Sequence, residues 1–170
     1  MIKILLIFLV WASISRAQSF PDGTLIFQSK KGLIGNIAKR MTKGDRYTHV
    51  AIVIDNQVWE SDWPRAKRSP ISNYGKRRST NDYYIPINPL SSSSISAMRK
   101  KAQSLIGKPY RLRNYLRPNS PRTQGTWCSP FVGQILNAGG YSLSSQEYHE
   151  PQNLLHTIQP NYQFLKRVRK

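Results

Sequence analysis

Apolar and polar positions along this chain fall into short blocks, some of them continuous β-prone runs and others spaced as one face of a helix. Gly23-Thr24-Leu25-Ile26-Phe27 is an apolar, β-prone run opened by the turn-forming Pro21-Asp22, and it predicts a first strand. Leu33, Ile34, Ile37, Ala38 and Met41 then recur at helical spacing, with Lys39, Arg40 and Lys43 toward the end where cations suit the helix dipole, and predict a short helix. His49 to Ile54 is nearly all apolar and β-branched, and Gln57 to Ser61 follows it across Asp55-Asn56, which predicts a hairpin with a tight turn. From Asp62 to Asp82 the periodicity is lost among Pro, Ser, Asn, Lys and Arg, the pattern of a basic surface loop. Tyr83 to Ile87 resumes as a strand, which Pro86 assigns to an edge or a bulge.

The second half is more helical. Four serines, Ser91 to Ser94, open a helix with its N-cap expected from Ser92 to Ser94; Ile95, Met98, Ala102, Leu105 and Ile106 form its apolar stripe, and Gly107 and Pro109 stop it. An irregular basic stretch runs from Pro109 to Gln124. Beyond it, Phe131, Val132, Ile135 and Leu136 recur at helical spacing behind Pro130, and Gly139-Gly140 ends the pattern. Cys128 therefore falls at or just before a helix N-terminus. A last strand is expected near Tyr162 to Leu165, followed by a basic tail.

Residues 1 to 17 follow a different plan: Lys3, an apolar run from Ile4 to Trp11, and small residues up to Ala17. This is the layout of a secretory signal peptide with cleavage near Ala17, since a spanning helix needs roughly 20 apolar residues. The expectation is a secreted or periplasmic protein with one domain over residues 18 to 170. The full chain carries a formal charge of +18, and losing Lys3 and Arg16 leaves 24 basic against 8 acidic residues. Such a surface seeks anionic partners. For an exported chain these are peptidoglycan or other anionic envelope polymers and, through peripheral contact, phospholipid head groups, rather than nucleic acid. A monomer is expected.

Cys128 is the single cysteine, so it forms no internal disulfide, although exported proteins usually use cysteines in pairs. A helix N-terminus together with a nearby imidazolium lowers a thiol pKa from about 8.5 into the range of roughly 3.5 to 7.5, which makes a nucleophile of it. His49 begins an apolar strand, where a histidine has no packing reason to be. If Asp55-Asn56 closes the hairpin, paired positions have numbers that sum to 111, so His49 faces Asp62 and Ala51 faces Glu60. Period-two alternation then puts His49, Glu60 and Asp62 on one face, with a carboxylate opposite the imidazole and another diagonal to it. Such a carboxylate fixes the tautomer and stabilises the charged ring. His149 and His156 lack partners at metal spacing and read as solvent-exposed, no phosphate-binding glycine loop is present, and no cofactor is expected.

In this order the residues resemble the permuted NlpC-type papain-like amidases, the YiiX-like cysteine peptidases. Gly23 to Phe27 looks like that family's opening strand, Tyr47-Thr48-His49-Val50-Ala51-Ile52-Val53 like its histidine strand, Gly107-Lys108-Pro109-Tyr110 like the segment ahead of the nucleophile, and Trp127-Cys128-Ser129 like the nucleophile itself. The resemblance implies an α+β, circularly permuted papain-like fold, a small antiparallel sheet or barrel packed against the helix that carries the cysteine. It implies Cys128 as nucleophile, His49 as base and Glu60 as the third residue, a better match than Asp62. It also implies amide-bond cleavage in cell-wall peptides. Arg111 and Pro130 depart from the family pattern, at positions where acids are common, and bear on substrate choice. Tyr47, Trp127 and Asp62 are candidates to line the substrate site. Two other functions fit the sequence: a lipid acyl hydrolase or acyltransferase on a related permuted fold, and a catalytically silent basic module that holds anionic envelope polymers.

Overall fold

The computed structural model describes residues 19–30, 46–74, 79–111 and 125–169. The first residues, with the layout expected of a signal peptide, and the helix expected over Leu33 to Met41 lie outside them. Six strands form one antiparallel sheet: β1 Leu25–Lys30, β2 His49–Ile54, β3 Gln57–Asp62, β4 Arg65–Pro70, β5 Ser79–Pro86 and β6 Tyr162–Arg169, in the order β4-β3-β2-β1-β5-β6. The sheet is open, with β4 and β6 at its edges. Three helices accompany it among the described residues: α1 Ser92–Leu105, α2 Cys128–Ala138 and α3 Pro151–Ile158. None of the described helices is long and apolar enough to cross a membrane.

The hairpin forms in the expected register. Ile52 pairs with Trp59, Val53 with Val58 and Ile54 with Gln57, and the turn residues Asp55 and Asn56 have φ of 53° and 56°. Two consecutive left-handed residues make the turn whose twist matches a strand pair, and Asp and Asn are among the side chains that tolerate it. Asp55 is held further by an ion pair with Arg99 of α1 and, through its N–H, by Asp22.

Alternation divides the buried residues into two cores. Leu25, Phe27, Val50, Ile52, Ile54 and Trp59 point to the face covered by the helices, where Met98, Ala102 and Leu105 of α1 meet Phe131, Val132, Ile135 and Leu136 of α2. Ile26, Ala51, Val53 and Val58 point the other way, against Phe20, Tyr74 and Tyr83. The central strand β2 is buried over its whole length, which explains its unbroken apolar run.

Four expectations are corrected. The segment from Asp62 to Asp82 is not one loop: it contains β4 and the start of β5. β4 has few β-formers because it needs to bury only Ala66, Arg65 and Arg68 being exposed and Lys67 half-buried, and the start of β5 escapes a hydrophobicity pattern because it buries Ser79, Asn81 and Asp82. The cap of α1 is Ser91, whose Oγ accepts the Ser94 N–H at 3.1 Å, one residue ahead of the expected group. α3 was not expected, although Pro151 at its start and the buried Leu154, Leu155 and Ile158 are a helix signature. β6 also runs on to Arg169, four residues past the apolar segment that announced it.

Candidate active site

Cys128 is the first residue of α2, and Trp127 before it is the extended N-cap. Trp127 is itself held by its indole N–H, which donates to the His149 carbonyl at 2.9 Å, and by an edge contact with the His149 ring at 5.3 Å. His149 is thus half-buried against Trp127, not solvent-exposed as the sequence suggested, whereas His156 is exposed. The first helical N–H groups have no intrahelical acceptor and carry the positive end of the helix dipole. That is the environment of the Cys128 thiol.

The strands bring His49 and Glu60 together beside it. The His49 Nε2–H donates to Glu60 Oε2 at 2.8 Å, and both side chains are buried. With Nε2 committed to the carboxylate, Nδ1 is the ring nitrogen left to share a hydrogen bond with the thiol. Burial alone would push the Cys128 pKa up; the hydrogen bond and charge of His49 oppose it, with help from the Ser129 hydroxyl and the Val50 backbone, and the thiol ends below its ordinary value. Ser129 Oγ lies 3.7 Å from the sulfur. Glu60 belongs to the face of β3 turned away from the helices and Cys128 to the core beneath them, so His49, at the first residue of its strand, links the two.

Glu60 is tightly held. Burial would raise its carboxyl, yet the bond to His49, the His49 charge and the Lys67 ammonium outweigh that and lower it. Lys67 sits directly across from it on β4, with Nζ 3.6 Å from Glu60 Oε1 and 3.7 Å from Asp62 Oδ2. The Tyr74 hydroxyl donates to Glu60 Oε2 at 3.4 Å, and burial together with the neighbouring carboxylate pushes its own pKa well up, so it stays a donor. Lys67 and Tyr74 escaped the sequence reading because both lie in the stretch read as a loop.

The remaining candidates go elsewhere. Tyr47 is 2% exposed in the helix-side core, where it packs on Phe27 and its hydroxyl donates to Asp82, so its place is in the core and not on a pocket wall. Trp127 is half-buried next to the nucleophile. Asp62 ion-pairs with Lys67 and accepts the Trp63 N–H at 3.0 Å, while Glu60 takes the imidazole.

No family model and no curated protein matches the chain. Among solved structures it is similar to the metalloprotein YiiX of Escherichia coli O157:H7, with a TM-score of 0.65 at 15% identity, over 88% of this chain and 98% of that one. Among the described residues, however, no group of three or more His, Cys, Asp and Glu side chains is arranged to hold a metal ion, so the donor set here does not fit such a centre. What the likeness establishes is the fold: this chain has a YiiX-like α+β fold, a six-stranded antiparallel sheet with helices packed on it.

Proposed function

We propose that the protein is a cysteine hydrolase that works by acyl transfer, with Cys128 as nucleophile, His49 as base and Glu60 as the residue that orients the imidazole. The supporting observation is that His49 reaches the Glu60 carboxylate with one nitrogen while it bonds to a thiol at a helix N-terminus with the other. In this reading the thiol proton passes to His49 and the sulfur attacks a carbonyl carbon. The resulting oxyanion is held partly by the Cys128 backbone N–H, which has no intrahelical acceptor. The C–N bond breaks as His49 returns the proton to the leaving amine. Water, deprotonated by His49, then attacks the thioester, and the acid and the free thiol are released.

Membership of the permuted papain-like, NlpC-type class, export, and cell-wall peptides as substrate are further parts of this proposal. They rest on the motif order, the leader-like first residues and the excess positive charge. The test is intact-mass labelling of Cys128 with iodoacetamide across pH. Wild type should react with a midpoint clearly below the ordinary thiol value of about 8.5, and His49→Ala should move it back up. An ordinary midpoint in both proteins would remove the hydrolase reading.

A further inference from the structure

A second cluster of charge lies on the same sheet face as the thiol and on a neighbouring register line. Val50 pairs with Phe27, Phe27 with Asp82 and Asp82 with Arg167, so these four residues cross β2, β1, β5 and β6 in one row. Phe27 and Val50 belong to the helix-side core, which puts Asp82 and Arg167 on that face too. The Val50 backbone bonds to the Cys128 sulfur at one end of the row. Two strand spacings separate β2 from β5, about 10 Å. Phe27, Tyr47 and Tyr84 fill the interval as an aromatic group with centroids 5.3 and 5.5 Å apart.

At the far end Asp82, 1% exposed, takes more positive charge than it needs. Arg167 grips it with two parallel bonds of 2.6 and 2.7 Å, the geometry of a complete guanidinium–carboxylate pair, and the Tyr47 hydroxyl donates to it as well. Its charge is matched by these contacts. Arg46 nevertheless sits 3.2 Å from the same carboxylate, over the Tyr47 ring, with a side chain 55% exposed. Two guanidiniums on one carboxylate leave a net positive charge, and the Arg46 fork keeps donors that no described residue takes up. A planar fork whose position is fixed by stacking and by a neighbouring ion pair is suited to oxyanions.

From this arrangement we infer that Arg46, seated on the Asp82–Arg167 pair, is an anion-binding subsite for the acyl substrate, recognising a carboxylate or phosphate on the order of 10 Å, two strand spacings, from the β2 backbone that bonds to the Cys128 sulfur. That distance is about three residues of an extended peptide. The inference rests on Cys128 being the nucleophile, and it adds a charge requirement on one side of the scissile bond.

The test uses iodoacetamide derivatives that carry, about 10 Å from the reactive carbon, a carboxylate, a phosphate monoester or a neutral amide. Their rates of Cys128 alkylation are compared at low ionic strength in wild type, Arg46→Gln and Arg68→Gln. Arg68→Gln removes the same charge from the exposed edge strand at the opposite side of the sheet. In wild type an anionic probe should react about two- to fivefold faster than the neutral one, the gain expected of one partly exposed ion pair. Arg46→Gln should abolish that ratio and Arg68→Gln should keep it. The probe with the larger ratio identifies the anion as carboxylate or phosphate. A ratio near one in wild type, or an equal fall in both variants, would overturn the subsite, the second result assigning the preference to diffuse surface charge. If Cys128 is inert to the neutral probe, the hydrolase reading fails by itself. Anion binding is then read from the thermal midpoint in phosphate against chloride at equal ionic strength: a stabilisation lost only in Arg46→Gln keeps the site, and none in wild type removes it.

Discussion

The ionisation of Glu60 depends on groups that the mechanism does not consume. Lys67 lowers the carboxyl electrostatically, and the carboxylate in turn holds the imidazole. Removing the ammonium with Lys67→Met should let Glu60 protonate at higher pH, so the acidic limb of the Cys128 alkylation profile should move upward while the protein keeps its fold. An unmoved limb would assign Lys67 to the surface alone. Glu60→Gln keeps the shape of the side chain and removes its charge. It should slow alkylation at neutral pH by about a hundredfold, the lower range of what a positioned acid–base system contributes. Of the candidate site residues, Cys128, His49 and Glu60 were legible because each is an oddity in its local pattern: one thiol in the chain, a histidine opening an apolar strand, and an acid on the partner strand in a register that the Asp55-Asn56 turn determines. Lys67 and Tyr74 carry no such contrast, since lysine in a basic stretch and tyrosine in a polar one are unremarked until the fold brings them to Glu60.

Among the elements, α2 is closely packed at Gly133. Gly133 lies on its packed side, and a Cβ there would come within 2.3 to 2.6 Å of Tyr148 side-chain atoms, Cβ among them. Tyr148 precedes His149, whose carbonyl anchors the Trp127 cap. Gly133→Ala should therefore cost about 1–3 kcal/mol of stability, seen as a lower urea midpoint, despite the better helix propensity of alanine. A neutral or raised midpoint would mean that the Tyr148 segment yields freely. α1 and α2 were readable from sequence because their apolar residues repeat at helical spacing, and β2 and β3 because a short β-branched apolar run is followed across a two-residue turn by a second β-prone segment. β4 and the first half of β5 were not, because an edge strand and a strand with a polar interior do not alternate in hydrophobicity. Their pairing is decided by backbone groups of β3 and β1 that need partners.

For the whole molecule the carboxylates matter more than their number suggests, because 8 acids must offset 26 basic residues. Glu60 and, through its hydrogen bond and ion pair with Arg99, Asp55 both titrate below their ordinary values in the folded chain. In that window the unfolded chain binds more protons. The stability these groups contribute is therefore complete above the ordinary carboxylate range, near pH 4.3, and is lost as pH falls through their lower folded values. Urea midpoints should drop steeply below about pH 4.3, and less steeply in Glu60→Gln; equal slopes would show that the buried carboxylate is not linked to folding. The same excess of cations also bears on the open ends of the sheet. The outer side of β4 is partly closed by the segment after α1, where the Ala66 N–H donates to the Lys108 carbonyl and the Gly107 N–H to that of Ala66, whereas β6 carries Lys166, Arg167 and Arg169, which repel a copy of itself. Charge that elsewhere would draw in anionic partners here disfavours edge-to-edge pairing of one copy of the chain with another.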